Sequence, residues 1–299
     1  AEILEGDEKG RVVTFSNDFS QLKTGDVFYL RHLVSPSEGT GVYSVADIYR
    51  LPVLVGVAVV FLVLLLLFGG IQGIRGLVAL ALSLVLIFYL LLPGIIKGYP
   101  PMLVAVGVSS LIIIAGSYIT HGFTRTTSAA VLGMIGTVVV TGIAAAVVVD
   151  MAGLTGYNSE ESTYLYFQSQ GALDLVGILM SAILIGLLGV LYDVAIGQAV
   201  SVEELLRADQ HLSRSDLYRR ALRIGREHIG ALVNTLAIAY VGASLPLLLL
   251  LDNASAPIGY ILNGEVLATE IIRILIGSMG LVLAVPVTCL LYTSPSPRD

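Results

Sequence analysis

The chain is poor in the residues that a water-soluble fold or a covalent framework needs. It has no Trp and only three Lys, and charged residues make up 13%, about half the usual share of a soluble domain. The single cysteine, Cys289, excludes an internal disulfide framework and a multi-Cys metal site. We therefore expect neither a cofactor nor a nucleic-acid partner.

Apolar residues dominate instead. They make up 56% of the 299 residues, and the mean hydropathy is +0.89. A membrane-spanning helix needs about 20 predominantly apolar residues, and seven stretches without Asp, Glu, Lys or Arg meet this need. The predicted spans lie near 52–69, 77–93, 101–119, 128–149, 173–194, 229–251 and 268–288. We predict a mainly α fold, a polytopic helical membrane bundle over residues 49–288.

The arginines set the expected orientation. Six of them lie between the fifth and sixth predicted spans: Arg207, Arg214, Arg219, Arg220, Arg223 and Arg226. Because cytoplasmic loops carry the excess of Lys and Arg, we expect the amphipathic segment 199–226 to be cytoplasmic. We expect anionic lipid headgroups to bind this segment at Arg219, Arg220, Arg223 and Arg226.

The same alternation places residues 1–48 outside the cytoplasm. We predict a small extracytoplasmic β-domain there, with strands at Glu2–Glu5, Arg11–Ser16, Asp26–Leu33 and Gly39–Ser44. A turn at Thr24-Gly25-Asp26 precedes the third of these strands. Because such a domain must be exported, we expect the natural protein to continue N-terminally with a targeting helix.

The other end of the chain has an unusual composition. The polar, Pro-rich stretch from Cys289 to Asp299 has the appearance of read-through from a sequencing adapter. We therefore expect residues 289–299 to be a non-native tail with no physical tie to the last span.

Three motifs stand out in the second half of the chain. They are Gly189-x-x-x-Asp-Val-Ala-Ile196, Ile224-Gly-Arg-Glu-His-Ile229 and Val233-Asn-Thr-Leu-x-x-Ala-Tyr-x-Gly-x-Ser-Leu-Pro246. With them, the chain resembles the YibE/F family of prokaryotic multi-pass membrane proteins, over nearly its whole length up to Thr288. The resemblance implies a prokaryotic cell membrane and one more N-terminal span, but no particular activity.

The same segment contains two polar stripes. At 100° per residue, Gly186, Gly189, Asp193, Gly197, Val200 and Glu204 share one face of the fifth span. Arg223, Glu227, Gly230, Asn234 and Val241 share one face of the sixth. We predict that Asp193 and Glu204 face Glu227 and Asn234 across a seam open to the cytoplasm. The candidate polar pathway contains Asp193, Gln198, Ser201, Glu204, Arg226, Glu227, His228, Asn234, Thr235, Tyr240 and Ser244.

Two other interpretations of these residues stay open. In the first, they end helices at the headgroup level; in the second, they form structural hydrogen bonds between helices. A pathway would serve a permease or channel for a small solute or ion, to which the Pro-interrupted segment Ser244-Leu-Pro246 also points. The alternative function is a scaffold that presents the β-domain to a partner.

An intramembrane enzyme is the least favoured function. Asp174 and Asp193, the only pair available for an aspartyl dyad, lie 19 residues apart on one helix, about 28 Å along its axis. A dyad needs carboxylates near contact. The sequence also contains no His-Glu-x-x-His motif and no phosphate-binding loop.

Overall fold

The computed structural model of the chain describes residues 1–17, 21–34, 41–252 and 256–293. These residues form two compact units, Ala1–Gly73 and Ile74–Asp299.

The first unit contains a three-stranded sheet. Its strands are β1 (Phe15–Ser16), β2 (Phe28–Val34) and β3 (Gly41–Ile48), in the order β1-β3-β2. The central strand β3 pairs parallel to β1 and antiparallel to β2. The predicted turn before β2 is confirmed, because Gly25 has a φ of +99° and the Lys23 amide donates to Asp26 Oδ2 at 2.7 Å.

The observed strands differ from the predicted ones at several boundaries, including β2, which spans Phe28–Val34 instead of the predicted Asp26–Leu33. The strand expected at Glu2–Glu5 is reduced to one isolated bridge between Glu2 and Val12, because the chain turns at Gly6 and Gly10, both with positive φ. Strand β1 begins at Phe15 rather than Arg11. Strand β3 runs on to Ile48, since its last residues pair with Phe28, Tyr29 and Leu30 of β2.

Helix α1 (Leu51–Leu86) follows the sheet and is interrupted at Gly70, whose φ of 53° and ψ of −139° are not helical. Residues that carry a Cβ rarely adopt a positive φ, so this break requires glycine. A π-helical turn (Ile87–Leu91) and α2 (Leu92–Ile96) continue the run. The most apolar stretch within Leu51–Ile96 contains no buried residue.

The second unit is a helical bundle around α6. Its remaining helices are α3 (Pro101–His121), α4 (Arg125–Met151), α5 (Glu160–Gln168), α6 (Leu175–Ala208), α7 (Arg214–Ala243), α8 (Leu245–Asp252), α9 (Ile258–Asn263) and α10 (Glu265–Thr293). Helix α6 packs against α3, α4, α7 and α10, and α10 also packs along α4 and α7.

Small residues allow these helices to approach closely. A Cβ atom built at Gly133 on α4 would lie within 3.0 Å of Thr288 on α10, and one built at Gly280 on α10 would lie within 3.0 Å of Thr141 on α4. The large side chains Ile113, Met134, Leu184, Leu187, Leu191 and Leu281 fill the core. Close packing at small residues is the expected way to join helices in a membrane.

The apolar helices indicate a multi-pass membrane protein. Five segments are long and apolar enough to cross a bilayer: Leu51–Ile96, Pro101–His121, Arg125–Met151, Leu175–Ala208 and Glu265–Thr293. Helices α7 and α8 form a sixth candidate together, as a pair bent by 67°. The first two predicted spans fall within the single run Leu51–Ile96, so the count of seven stays a prediction.

The last helix corrects part of the predicted tail. Helix α10 continues through Cys289 to Thr293, and the Cys289 side chain is fully buried beside Val202, Leu217 and Ala221. The expectation of no physical tie to the last span is therefore wrong for residues 289–293, because apolar Cys289 fits the seam between α6 and α7. Residues 294–299 lie outside the part of the chain that the structure describes.

Candidate functional site

The predicted polar stripe on α6 lies on the exposed face of that helix. Asp193 and Glu204 are exposed, and so are the glycines between and above them. Positions Gly189 and Gly197 have no atom within 4 Å of a built Cβ. Among the residues that the structure describes, Asp193 makes no hydrogen bond or ion pair, so its partner stays a prediction.

The predicted stripe on α7 is exposed as well, including Arg223, Glu227 and Asn234. Helix α7 contacts its neighbours through a different face, which buries Leu217, Ala221, Gly225 and Leu236. The structure thus brings α6 and α7 together, but their contact uses residues outside the two stripes. The seam between Asp193 and Glu227 or Asn234 also stays a prediction.

Gln198 is the predicted site residue with the most buried side chain. Its Nε2 donates to the main-chain oxygen of Ala221 on α7 at 2.7 Å and to Cys289 Sγ on α10 at 3.0 Å. Its Oε1 lies within 3.0 Å of where a Cβ on Gly225 would be. Gln198 therefore joins three helices, a structural role that one of the sequence interpretations allowed.

Several other predicted residues bond within their own helix. The Ser201 hydroxyl donates to the Gly197 oxygen at 2.8 Å, and the Thr235 hydroxyl donates to the Ala231 oxygen at 2.9 Å. A ring nitrogen of His228 lies 3.1 Å from the main-chain oxygen of Ile224. The Glu204 carboxylate pairs with Arg207 at 3.3 Å. Arg226 and Glu227 are exposed.

Tyr240 connects the predicted site to a charged pair that sequence reasoning missed. A Cβ at Gly186 on α6 would lie within 3.0 Å of the Tyr240 hydroxyl oxygen, so this glycine admits the ring. On the other side, the guanidinium carbon of Arg273 lies 5.8 Å from the ring centroid. This is within the range of a cation–π contact.

Arg273 and Glu270 form an ion pair on α10. Arg273 Nη1 lies 3.2 Å from Glu270 Oε1, and the two side chains are 20% and 19% exposed. The Nε atom of Arg273 is buried and has no hydrogen-bond partner among the described residues. Arg273 lies eight residues after Glu265, about 12 Å along the helix axis.

The helical conformation is interrupted about one turn beyond Tyr240. Helix α7 ends at Ala243, and the Ser244 amide donates to the Tyr240 oxygen at 3.0 Å. Pro246 lacks an amide hydrogen and cannot continue the hydrogen bonding of α7. The resulting bend of 67° confirms that Ser244-Leu-Pro246 interrupts the sixth predicted span.

Two further contacts join other elements of the bundle. The Glu265 carboxylate at the start of α10 accepts hydrogen bonds from the Thr155 amide and hydroxyl and from the Gly156 amide, which anchors the loop after α4. The Tyr192 hydroxyl on α6 donates to the Ile112 oxygen on α3 at 2.5 Å.

Within the described ranges no three His, Cys, Asp or Glu side chains are grouped to hold a metal ion.

A signal for the missed pair was present in the sequence. Glu270 and Arg273 have the i, i+3 spacing of a helical ion pair, and an uncharged apolar run follows directly. The predicted pathway contains neither residue. Charged residues within an apolar span are costly and commonly functional, which is the rule that would have found them.

Comparison with known proteins agrees with the motifs. A family model described as YibE/F-like protein matches residues 57–294. No curated protein and no solved structure matches the chain.

Proposed function

This chain belongs to the YibE/F-like family, and we propose that it is a membrane permease or channel for a small solute or ion. The observation that carries the proposal is the Glu270–Arg273 pair on α10, which contacts Tyr240 just before the break between α7 and α8. A charged pair and a broken helix at one place are typical of substrate and ion sites in transporters.

The cost of burying charge supports this choice. A single charged side chain at the centre of a membrane helix costs about 2.5–3.5 kcal/mol on insertion scales. Pairing lowers this cost but leaves a polar surface within an apolar helix. If stability were the only requirement, two apolar side chains of similar volume at these positions would make the bundle at least as stable. We therefore assign the pair a role in solute passage.

We propose seven spans and a defined orientation. The run Leu51–Ile96 has 46 residues, about 69 Å at helical rise, which is more than twice the roughly 30 Å of bilayer hydrocarbon. Two spans divided near Gly70 would fit this length. With segment 199–226 in the cytoplasm, residues 1–48 would lie outside a prokaryotic cell membrane.

Anionic lipid headgroups are the proposed partners of the first turns of α7. Arg219, Arg220, Arg223 and Arg226 are exposed, and none of them forms an ion pair with a described carboxylate. Each is expected to add about 1 kcal/mol of attraction to an anionic surface. Arg223→Gln should therefore weaken the retention of phosphatidylglycerol in mixed detergent micelles, whereas Arg207→Gln, which removes an arginine already paired with Glu203, should have a smaller effect.

Flux in proteoliposomes tests the proposed function. The protein should carry a small ion or solute from a panel, and Arg273→Gln should reduce that flux at least tenfold, while Arg214→Gln, a change at an exposed arginine outside the candidate pathway, leaves it unchanged. A properly inserted protein that carries no member of a broad panel would favour the scaffold instead. That alternative is supported by the separate compact unit that holds the sheet.

A further inference from the structure

We infer that the Glu270–Arg273 pair binds a small monocarboxylate anion in exchange for its internal carboxylate, and that Glu270 takes up one proton as the anion binds. This inference rests on the proposed transport function and specifies its substrate class and its coupling. In the structure, the Glu270 carboxylate contacts Arg273 Nη1, and the incoming anion would replace it as the carboxylate partner of Arg273.

The guanidinium of Arg273 is incompletely used in the pair. Nη1 contacts one oxygen of Glu270 at 3.2 Å, and the buried Nε has no partner within the described part of the chain. A guanidinium presents its donors as a planar fork, which matches the two oxygens of a carboxylate. A free carboxylate is able to accept from two donors along one edge of this fork, whereas Glu270, held on the same helix, contacts Nη1 alone.

Charge balance explains why a proton accompanies the anion. The pair has no net charge, and an anion added to it would leave one uncompensated negative charge in an apolar bundle. If Glu270 accepts a proton from solution, its carboxylate becomes a neutral acid and the Arg273 cation passes to the incoming anion. One proton and one anion enter together, so the net charge of the site stays at zero.

Among the described residues, one other titratable group is in contact with the pair. On α7 this group is Tyr240, with its ring beside the guanidinium. On α4 and α6, Ala145, Val149, Leu179 and Ile183 form an apolar cluster with Ile276 and Ile272 of α10. On α9, Tyr260 is 76% exposed. On α10 itself, Glu265 already accepts hydrogen bonds from Thr155 and Gly156.

The space and the charge select the anion. The Tyr240 hydroxyl fills the position of the missing Gly186 side chain, so α6 closes one side of the site. A bulky solute would displace this ring. A dianion such as hydrogen phosphate would keep one negative charge after Glu270 is neutralised. A small monocarboxylate satisfies both limits.

Acetate binding to the purified full chain in detergent tests the inference. Between pH 6 and 8 acetate stays ionised, so the proton taken up must go to the protein. The Kd for acetate, measured by calorimetry, should rise about tenfold per pH unit, as linkage to one proton requires. Glu270→Gln keeps the shape of the protonated side chain, so its Kd should not depend on pH and should be at least tenfold lower at pH 8.

Three further variants complete the test. Arg273→Gln should abolish acetate binding, and Arg273→Lys, which keeps the charge without the fork, should weaken it at least tenfold. Glu161→Gln, an exposed acid on α5, should keep the wild-type pH dependence. If Arg273→Gln does not fold, the pH slope of Glu270→Gln still decides.

The inference is overturned if wild-type protein binds no acetate, if its Kd does not change with pH, or if Glu270→Gln keeps the wild-type slope. Flux of some other ion through reconstituted protein would in that case leave the proposed function standing. Acetate binding with the expected slope, but without any flux, would overturn the proposed function and leave the binding site.

Discussion

Gln198 on α6 donates a hydrogen bond to the main-chain oxygen of Ala221 on α7, with an N···O distance of 2.7 Å. The side chain is 5% exposed. Replacing Gln198 with an apolar residue would remove this hydrogen bond between α6 and α7. We expect Gln198→Leu to lower the free energy of unfolding by about 1 kcal/mol, the usual size of one such bond.

Thermal unfolding in detergent measures this effect. Ser201→Ala is the matched control, because the Ser201 hydroxyl bonds only the oxygen of Gly197 on its own helix. The control should keep the wild-type Tm. Equal Tm values for Gln198→Leu and Ser201→Ala would show that the bond between the helices is unimportant.

Two glycines on α7 have opposite surroundings. A Cβ at Gly225 would meet Gln198 and Val285 within 3.0 Å, whereas a Cβ at Gly230 would meet nothing within 4 Å. Gly225→Ala should therefore cost about 1–3 kcal/mol of stability through overpacking. Gly230→Ala should gain up to about 1 kcal/mol, because alanine is the better helix former. Paired unfolding curves check the signs, and a stabilised Gly225→Ala protein would contradict the close packing of α7.

Glu8 should make the sheet unit sensitive to acid. The hydrogen bond from the Tyr43 hydroxyl and the nearby charge of Arg11 lower the pKa of Glu8. A lowered folded-state pKa contributes stability above the unfolded pKa, and this contribution is lost as the pH falls through the folded value. Glu8→Gln should thus lower the Tm at neutral pH, with the difference from wild type fading below about pH 4. A difference that grows in acid would show that the sign is wrong.

Much of the fold followed from the sequence. Uncharged apolar runs predicted α3, α4, α6 and α10, because a helix of that length is the simplest way to satisfy the backbone in a bilayer. The break at Ser244-Leu-Pro246 followed from proline chemistry. The break at Gly70 agrees with the turn that the glycines at 69, 70 and 73 and Arg75 indicate, whereas the π-helical turn Ile87–Leu91 has no such local signal.

The site was harder to predict for a physical reason. Helical periodicity places Asp193, Gly197 and Glu204 on one face, but only tertiary packing decides whether that face is buried or exposed. The structure packs α6 through Gln198 and Val202, which leaves the Asp193 face open. Tyr240 was found from its motif, whereas its contact with Arg273 joins two helices, and no local pattern contains that contact.

The orientation is tested with single cysteines. Ser16→Cys and Ser213→Cys should react with a membrane-impermeant thiol reagent from opposite sides of intact vesicles, because the proposed orientation places the arginine-rich region around Ser213 in the cytoplasm and Ser16 outside. The parent chain is the control, since buried Cys289 should stay unlabelled. Labelling of both positions from the same side would contradict the proposed orientation.

Water access to Tyr240 tests the account most directly. In reconstituted protein, Tyr240→Cys should react with a small water-soluble thiol reagent, because a solute pathway next to Arg273 must contain water. Leu275→Cys is the matched control, since Leu275 lies two residues beyond Arg273, is 56% exposed and is proposed to face lipid. The account predicts fast reaction at position 240 and slow reaction at position 275. Equally slow reaction at both positions in a folded, inserted protein would contradict a solute pathway through this bundle.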